Sequence, residues 1–532
     1  MRNPQEEQSR KPSARQSAGT VAGSRGLSGG AASPSTGRRR AFLVPGQPVS
    51  WLNPPYGGVQ REIEMVHQPA PGDAAIPRQT GPPTPLRRYP PLFTSFFMAG
   101  FEASSHRRKD GRRLDLIAGT RHDDFAFQDY RRCAELGLTT LRDGLRWHLI
   151  ESRRGIYDWS SWRPMLRAAA AAGVRVIWDL FHYGSPDFLD IRTPEFVQAF
   201  AQFCAAATRV HADEIGEPPL FCPMNEISFL AWAVEVGYFP PDEVEDPGAF
   251  KRQLARIAIA GADAVRRVDP RARFAWAEPL IHIAPRHLES EEVEAAEIRR
   301  QGQFEAYDML MGRSSPELGG RSDLVEVVGL NFYPHNQWYL EGPTIPMGHH
   351  EYRAMADMLV EAHQRYGKPI YIAETGAEGS GRPAWLHYVC DQVRAGVERG
   401  VEVEGICLYP VTAYFGWDNE RHCDVGLLSL PDGLGRREVY APLVAELERQ
   451  RACPVTPQER ELAAIRQEAD YLRRRFGAEA AAVARTRLEF ERALGWPMTA
   501  RREHVLHELI RRDQQPRGRL AQAQVAREGR AG

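Results

Sequence analysis

From about residue 93 to residue 450 the sequence alternates between short apolar runs and amphipathic stretches, and this alternation constrains the chain more than any other feature. It is the pattern of repeated βα units around a parallel sheet. Apolar runs at 96–103, 139–145, 174–181, 220–224, 273–277, 325–331, 369–373 and 405–409 predict eight strands, the number a closed (β/α)8 barrel needs. Helical patterns at 123–136, 161–172, 194–210, 250–268, 351–366 and 384–399 lie between them, and several stop at a glycine, Gly137, Gly173 or Gly400, as helix C-termini do. The expected fold class is α/β, a (β/α)8 TIM barrel over residues 91–450.

The chain has 532 residues, whereas a barrel of this kind takes about 250 and with insertions roughly 400 or more. Appendages are therefore expected at the ends. Residues 1–90 are rich in Pro, Gly, Ser and Arg and lack an apolar period, so they read as a disordered extension. Its run Arg38, Arg39 and Arg40 fits a solvated tail or a segment that touches an anionic partner. After Pro454, Thr456, Pro457 and Glu459 form an N-cap, a first-turn proline and a capping-box acid. Leu462, Ile465, Ala469, Leu472 and Phe476 then recur at spacings of three and four, which predicts a helical C-terminal appendage over 451–532.

Composition excludes several function classes. The 68 basic and 69 acidic residues give a net charge of -1, with no global field to gather nucleic acid or an anionic membrane. Seven scattered cysteines without CxxC spacing read as reduced and mostly buried. There is no signal-peptide core and no membrane-length apolar run, so the expected location is cytoplasmic. No metal-ligand cluster or phosphate-cradling glycine loop stands out, and no cofactor is expected.

Two carboxylates end apolar runs. Glu226 follows Leu220-Phe221-Cys222-Pro223-Met224-Asn225 at the end of the fourth predicted strand, and Glu374 follows Pro369-Ile370-Tyr371-Ile372-Ala373 at the end of the seventh. Strand C-terminal ends form the active face of such barrels, and two carboxyl groups, one protonated and one ionised, are what glycosidic bond cleavage requires. One strand-end glutamate alone is more often a solvated or capping residue.

With these residues in view, the chain over roughly 95–430 resembles the retaining glycosidases on (β/α)8 barrels, most of all family 1, which holds the β-glucosidases and β-galactosidases. Asn225-Glu226-Ile227 resembles the family's Asn-Glu-Pro acid/base motif, and Ala373-Glu374-Thr375-Gly376 its Thr-Glu-Asn-Gly nucleophile motif. Arg142, five residues before Trp147, resembles the strand-two arginine. His182 resembles the strand-three histidine, and Asn331-Phe332-Tyr333 the strand-six Asn-Tyr-Tyr. The resemblance implies Glu226 as acid/base and Glu374 as nucleophile, acting on a β-linked sugar or glycoside. Arg142 and Tyr333 are expected to lower the pKa of Glu374 by donating to it. Asn225 and His182 are expected to bind sugar hydroxyls, with Asn331, Tyr409 and Trp417 completing the substrate site.

Two departures bear on specificity. By spacing, Gly416 stands where the family has a glutamate that grips the 4- and 6-hydroxyls, while Tyr409 replaces a tryptophan and Trp417 keeps an aromatic platform. The strand-one glutamine is missing, with Glu102, Ser105 and His106 as possible substitutes. Arg421 and His422 nearby leave room for a phosphorylated substrate. A catalytically silent carbohydrate-binding barrel, an endo-acting β-glycanase of the same superfamily, and a scaffold whose termini carry the function stay open at this point.

Overall fold

The computed structural model describes residues 92–241, 244–417, 419–453, 457–493 and 499–514. The extension expected over 1–90, and the capping signal at Thr456, lie outside the described residues.

The strands are β1 (Phe97–Gly100), β2 (Thr140–Gly144), β3 (Arg175–Asp179), β4 (Leu220–Cys222), β5 in two segments (Arg273–Phe274 and Glu278–Pro279), β6 (Val328–Asn331), β7 (Ile370–Thr375) and β8 (Val403–Leu408). All pairings in this sheet are parallel, and β1 joins β8. The first segment of β5 pairs with β4 and the second with β6. Between them Ala275 N donates to Phe221 O and Glu226 N to Ala277 O, so the ring of strands closes through 273–279. The expected fifth strand, 273–277, is thus the first part of a longer, interrupted one.

The apolar runs exist because both faces of the sheet are covered. Met98, Ile177, Cys222, Tyr371 and Cys407 pack inside the barrel, while their neighbours Phe97, Val176, Phe221, Ile370 and Ile406 pack outward against the helices. The interior is tight enough to demand glycine: a Cβ on Gly100 would lie 2.1 Å from the Tyr409 ring, and one on Gly329 1.9 Å from Trp276 O.

The outer layer is α1 (His122–Glu135), α2 (Arg163–Ala172), α3 (Pro194–Ile215), α4 (Pro247–Val268), α5 (Ser290–Gln301), α6 (Met355–Tyr366), α7 (Arg382–Glu398) and α8 (Ala441–Ala452). Gly173 ends α2 in the left-handed region at φ 69°. α4 starts earlier than its apolar period predicts, because the Asp246 side chain caps Ala249 N at 2.9 Å and Pro247 sits in the first turn. α5 and α8 escape the sequence reading: α5 buries only Ala296 and Arg300, too little to show a stripe. Among the described residues no helix is long and apolar enough to cross a membrane.

The C-terminal helices α9 (Pro457–Phe476), α10 (Ala480–Ala493) and α11 (Thr499–Gln514) form a bundle with its own core. Ile465, Ala469 and Leu472 of the predicted apolar stripe meet Ala484, Leu488 and Leu509 there.

Candidate active site

Strict alternation along β7 would turn Glu374 outward with Ile370 and Ile372. Instead the register with β6 slips between Ile372 and Glu374, and an irregularity of this kind re-aims a side chain. Glu374 therefore faces the barrel mouth, where Arg142 Nη1 donates to its Oε1 at 2.7 Å and Tyr333 Oη to its Oε2 at 2.9 Å.

Arg142, fully buried on β2, is the hub. Its Nε and Nη2 clamp Asp179 of β3 at 2.9 and 2.8 Å, and Nη2 also donates to Asn225 Oδ1 at 2.6 Å. Asn225 Nδ2 donates onward to Tyr183 Oη at 2.9 Å, and Tyr183 Oη donates to Glu226 Oε2 at 2.8 Å. An unbroken hydrogen-bonded path thus links Glu374 to Glu226. A second contact closes the circuit: Asn331, paired with Glu374 across the sheet, donates from Nδ2 to Glu226 Oε1 at 2.9 Å.

Glu226 occupies a left-handed backbone conformation, φ 42°, at the head of the helix Ile227–Glu235, a cost that a non-glycine residue bears only where its surroundings enforce it. Glu278 of β5 supplies the enforcement. Its carboxylate accepts from Ile227 N at 2.5 Å and Ser228 N at 3.0 Å, satisfying the helix's first amides in place of an N-cap side chain. The Glu226 carboxyl is thereby left free of capping duty.

The electrostatics separate the two glutamates. Burial, and then the Glu374 charge, push Glu226 up to about 8, against the pull of its Asn331 and Tyr183 hydrogen bonds. Glu374 is also raised, by burial, with Arg142, His182 and Tyr333 pulling the other way. This corrects the expectation of a lowered pKa: the desolvation of a closed site outweighs the arginine. The ordering still follows from the partners. Glu374 bonds a guanidinium, whereas Glu226 has only neutral donors, so the proton of the pair rests on Glu226. Burial likewise lifts Glu278 to about 7.

The remaining expected residues converge on the same mouth. His182 Nδ1 lies 2.8 Å from Asp179 Oδ2, and Asn225 Nδ2 lies 3.2 Å from His182 Nε2. Burial opposes a charge on His182, but Asp179 and Glu102 raise its pKa overall. The Tyr409 ring lies parallel to His182 and has the Arg142 guanidinium 5.4 Å from its centroid. Trp417 packs edge to face with Tyr183 at 5.9 Å and beside Phe239 and His106, so it belongs to an aromatic wall more than to an open platform. The Asn225 amide is spent on Arg142, Tyr183 and His182, which makes it a positioning group before it is a sugar ligand. Arg421 is bound by Glu378 and so offers no free cation for a phosphate.

Sequence reasoning missed Asp179, Tyr183 and Glu278. Asp179 interrupts the apolar run of β3 as the one charged residue between Val176 and Phe181, and Glu278 ends β5's apolar run as Glu226 and Glu374 end theirs. Both signals were present. Tyr183 takes a left-handed backbone conformation, φ 67°, which no residue type announces. Among the described residues no group of histidine, cysteine or acidic side chains is disposed to hold a metal ion.

No family model and no curated protein matches the chain. Solved structures do match. A hyperthermophilic β-glucosidase mutant is 15% identical, over 68% of this chain and 100% of that one, with a TM-score of 0.54. The chain shares its barrel fold. The AHE enzyme from Alicyclobacillus herbarius is 16% identical, over 67% of this chain and 97% of that one, with a TM-score of 0.55. The β-glucosidase of Thermotoga maritima in complex with glucoimidazole is 12% identical over 67% and 98%, again at 0.55. At such identities the likeness is one of fold, and the chemistry has to be argued from the site.

Proposed function

We propose that the protein is a retaining β-glycoside hydrolase with Glu374 as nucleophile and Glu226 as acid/base. One observation carries the reading: two strand-end carboxyl groups share one hydrogen-bonded network in unlike surroundings, one bonded to a buried arginine and the other only to neutral donors, with its pKa raised to about 8. Pairs whose environments push them apart in this way divide the acid and nucleophile roles.

Both Glu226 oxygens already accept hydrogen bonds, from Asn331 and Tyr183. The carboxyl proton is then directed at a substrate oxygen. In the first step Glu374 attacks the anomeric carbon, the glycosidic C–O bond breaks, and the Glu226 proton goes to the leaving oxygen. Forming the ester removes the Glu374 charge, which after burial is the largest of the three causes that hold Glu226 high, Glu278 being the third. Glu226, now a carboxylate, takes a proton from water as that water attacks the anomeric carbon and Glu374 departs. Arg142, clamped by Asp179, keeps Glu374 in place through both steps.

The test is the anomer released first. Proton NMR during hydrolysis of a 4-nitrophenyl β-glycoside should show the β-sugar before mutarotation. An α-sugar appearing first would require water to attack directly and would remove Glu374 as nucleophile.

A further inference from the structure

Glu278 is buried, only 2% exposed, and the hydrogen bonds it accepts come from two backbone amides. Lys251 of α4, whose charge bears on it, bonds Gly302 O and Glu305 instead. A buried carboxylate without a bonded cation is costly, so its presence needs a reason. Capping alone does not supply one, because a Ser, Asn or Asp at the ordinary N-cap position would satisfy the same amides with no carboxylate brought from another strand. That position is occupied by Glu226, whose carboxyl is engaged with Tyr183 and Asn331.

Three consecutive amides at the helix head end on one segment of β5. Glu226 N donates to Ala277 O at 3.0 Å, Ile227 N to Glu278 Oε1 at 2.5 Å and Ser228 N to Glu278 Oε2 at 3.0 Å. The same segment anchors the other end of Glu226. Pro279 pairs with Asn331 across the sheet, Leu280 N donates to Asn331 O at 2.9 Å, and Asn331 Nδ2 holds Glu226 Oε1. Residues 277–280 therefore fix both the backbone from which the Glu226 side chain starts and the amide on which its carboxyl ends.

The charge of Glu278 acts on Glu226 as well, adding to burial and to Glu374 in raising its pKa. Besides Glu226, Glu278 meets Lys251, Tyr307 of the short helix Glu305–Leu310 and Tyr366 of α6. The two tyrosine hydroxyls donate elsewhere, to Gly329 O and Phe304 O. Burial lifts Glu278 to about 7 and Glu226 to about 8. Between those values a charged Glu278 stands behind a protonated Glu226, and a like charge so placed opposes loss of the second proton.

We propose that Glu278 is a positioning residue for the general acid, aiming the Glu226 carboxyl through the amides of Ile227 and Ser228 and opposing loss of its proton by a like charge. The inference rests on Glu226 being the acid/base. Two variants separate the geometry from the charge: Glu278→Asp keeps the charge and shortens the reach, whereas Glu278→Gln keeps the length and removes the charge. In Glu278→Asp, kcat/KM for an alkyl β-glycoside should fall by about 100-fold, as when a reacting group is displaced by about 1 Å. A 2,4-dinitrophenyl glycoside, whose leaving group needs no proton, should keep most of its rate. In Glu278→Gln the basic limb of kcat/KM should move below about 8, because a neutral neighbour lets Glu226 ionise sooner, while in Glu278→Asp it should stay. A purely structural residue would slow both substrates alike and leave the limb in place. Equal losses on the two substrates in folded Glu278→Asp, or an unmoved limb in Glu278→Gln, would overturn the proposal, and if one variant does not fold the other decides. If the wild type turns over no glycoside, the catalytic reading fails by itself. Infrared difference titration of Glu226, its band identified by its loss in Glu226→Gln, then takes the place of kinetics. A lowered Glu226 pKa in Glu278→Gln supports the control of Glu226 by Glu278, and an unchanged one overturns it.

Discussion

Glu226→Ala should lower kcat on alkyl or disaccharide β-glycosides by about 100- to 10,000-fold, the usual worth of general acid/base catalysis. On a 2,4-dinitrophenyl glycoside, whose leaving group needs no proton, the first step should survive and the glycosyl-enzyme should accumulate. Azide needs no base to attack, so adding it should restore turnover and yield the β-glycosyl azide. The wild-type rate should fall as pH rises through about 8, where Glu226 loses its proton, and this basic limb should vanish in the variant. Steady-state kinetics on the two substrate classes, with and without azide, read all of this. An equal loss on both classes, unrelieved by azide, would assign Glu226 a structural role.

Arg142→Met should be the most destabilising single change in the site. Arg142 pairs with Asp179 and Glu374 and donates to Asn225, and all of these groups are buried. Removing one member of a buried ionic group strands the others, at a cost of about 3–5 kcal/mol. The sign of the pH effect follows. Arg142 and His182 hold Asp179 below its ordinary value, and without the arginine burial would raise it, as burial already raises Glu374. Groups with raised folded-state pKa values weaken the fold as pH rises, so the loss should be larger at pH 8 than at pH 5. Guanidinium denaturation at both pH values checks this, and Arg142→Met combined with Asp179→Asn should recover part of it. A loss below about 1 kcal/mol would mean that the carboxylates have other support.

How far the sequence could be read depends on what each residue answers to. The strands were legible because Ile370 to Ala373 and Gly405 to Tyr409 must be apolar on both faces of a closed sheet, and a continuous apolar run admits few other fates. Arg142, His182, Asn225, Glu226, Tyr333 and Glu374 were legible because their order along successive strands becomes adjacency around the barrel mouth. What escaped was set by three-dimensional crowding. The direction of the Glu374 shift depends on how completely the mouth excludes water. The work of Glu278 depends on the unusual backbone of a residue fifty-two positions earlier in the chain, Glu226. The inward aim of Glu374 comes from a register slip that the alternation of residue types does not encode. α5 was invisible because a barrel helix anchored by Ala296 and the ion pairs of Arg300 needs little apolar stripe.

In the proposed mechanism Glu374 forms a covalent bond to the sugar. Incubation with activated 2-fluoro β-glycosides, followed by mass mapping of the labelled peptide, tests it directly, because the fluorine slows release more than attack. One sugar per chain is expected, attached to the peptide that carries Glu374, with no label in Glu374→Ala. Label on another carboxylate, or slow turnover of the reagent with no trapped species, would contradict it.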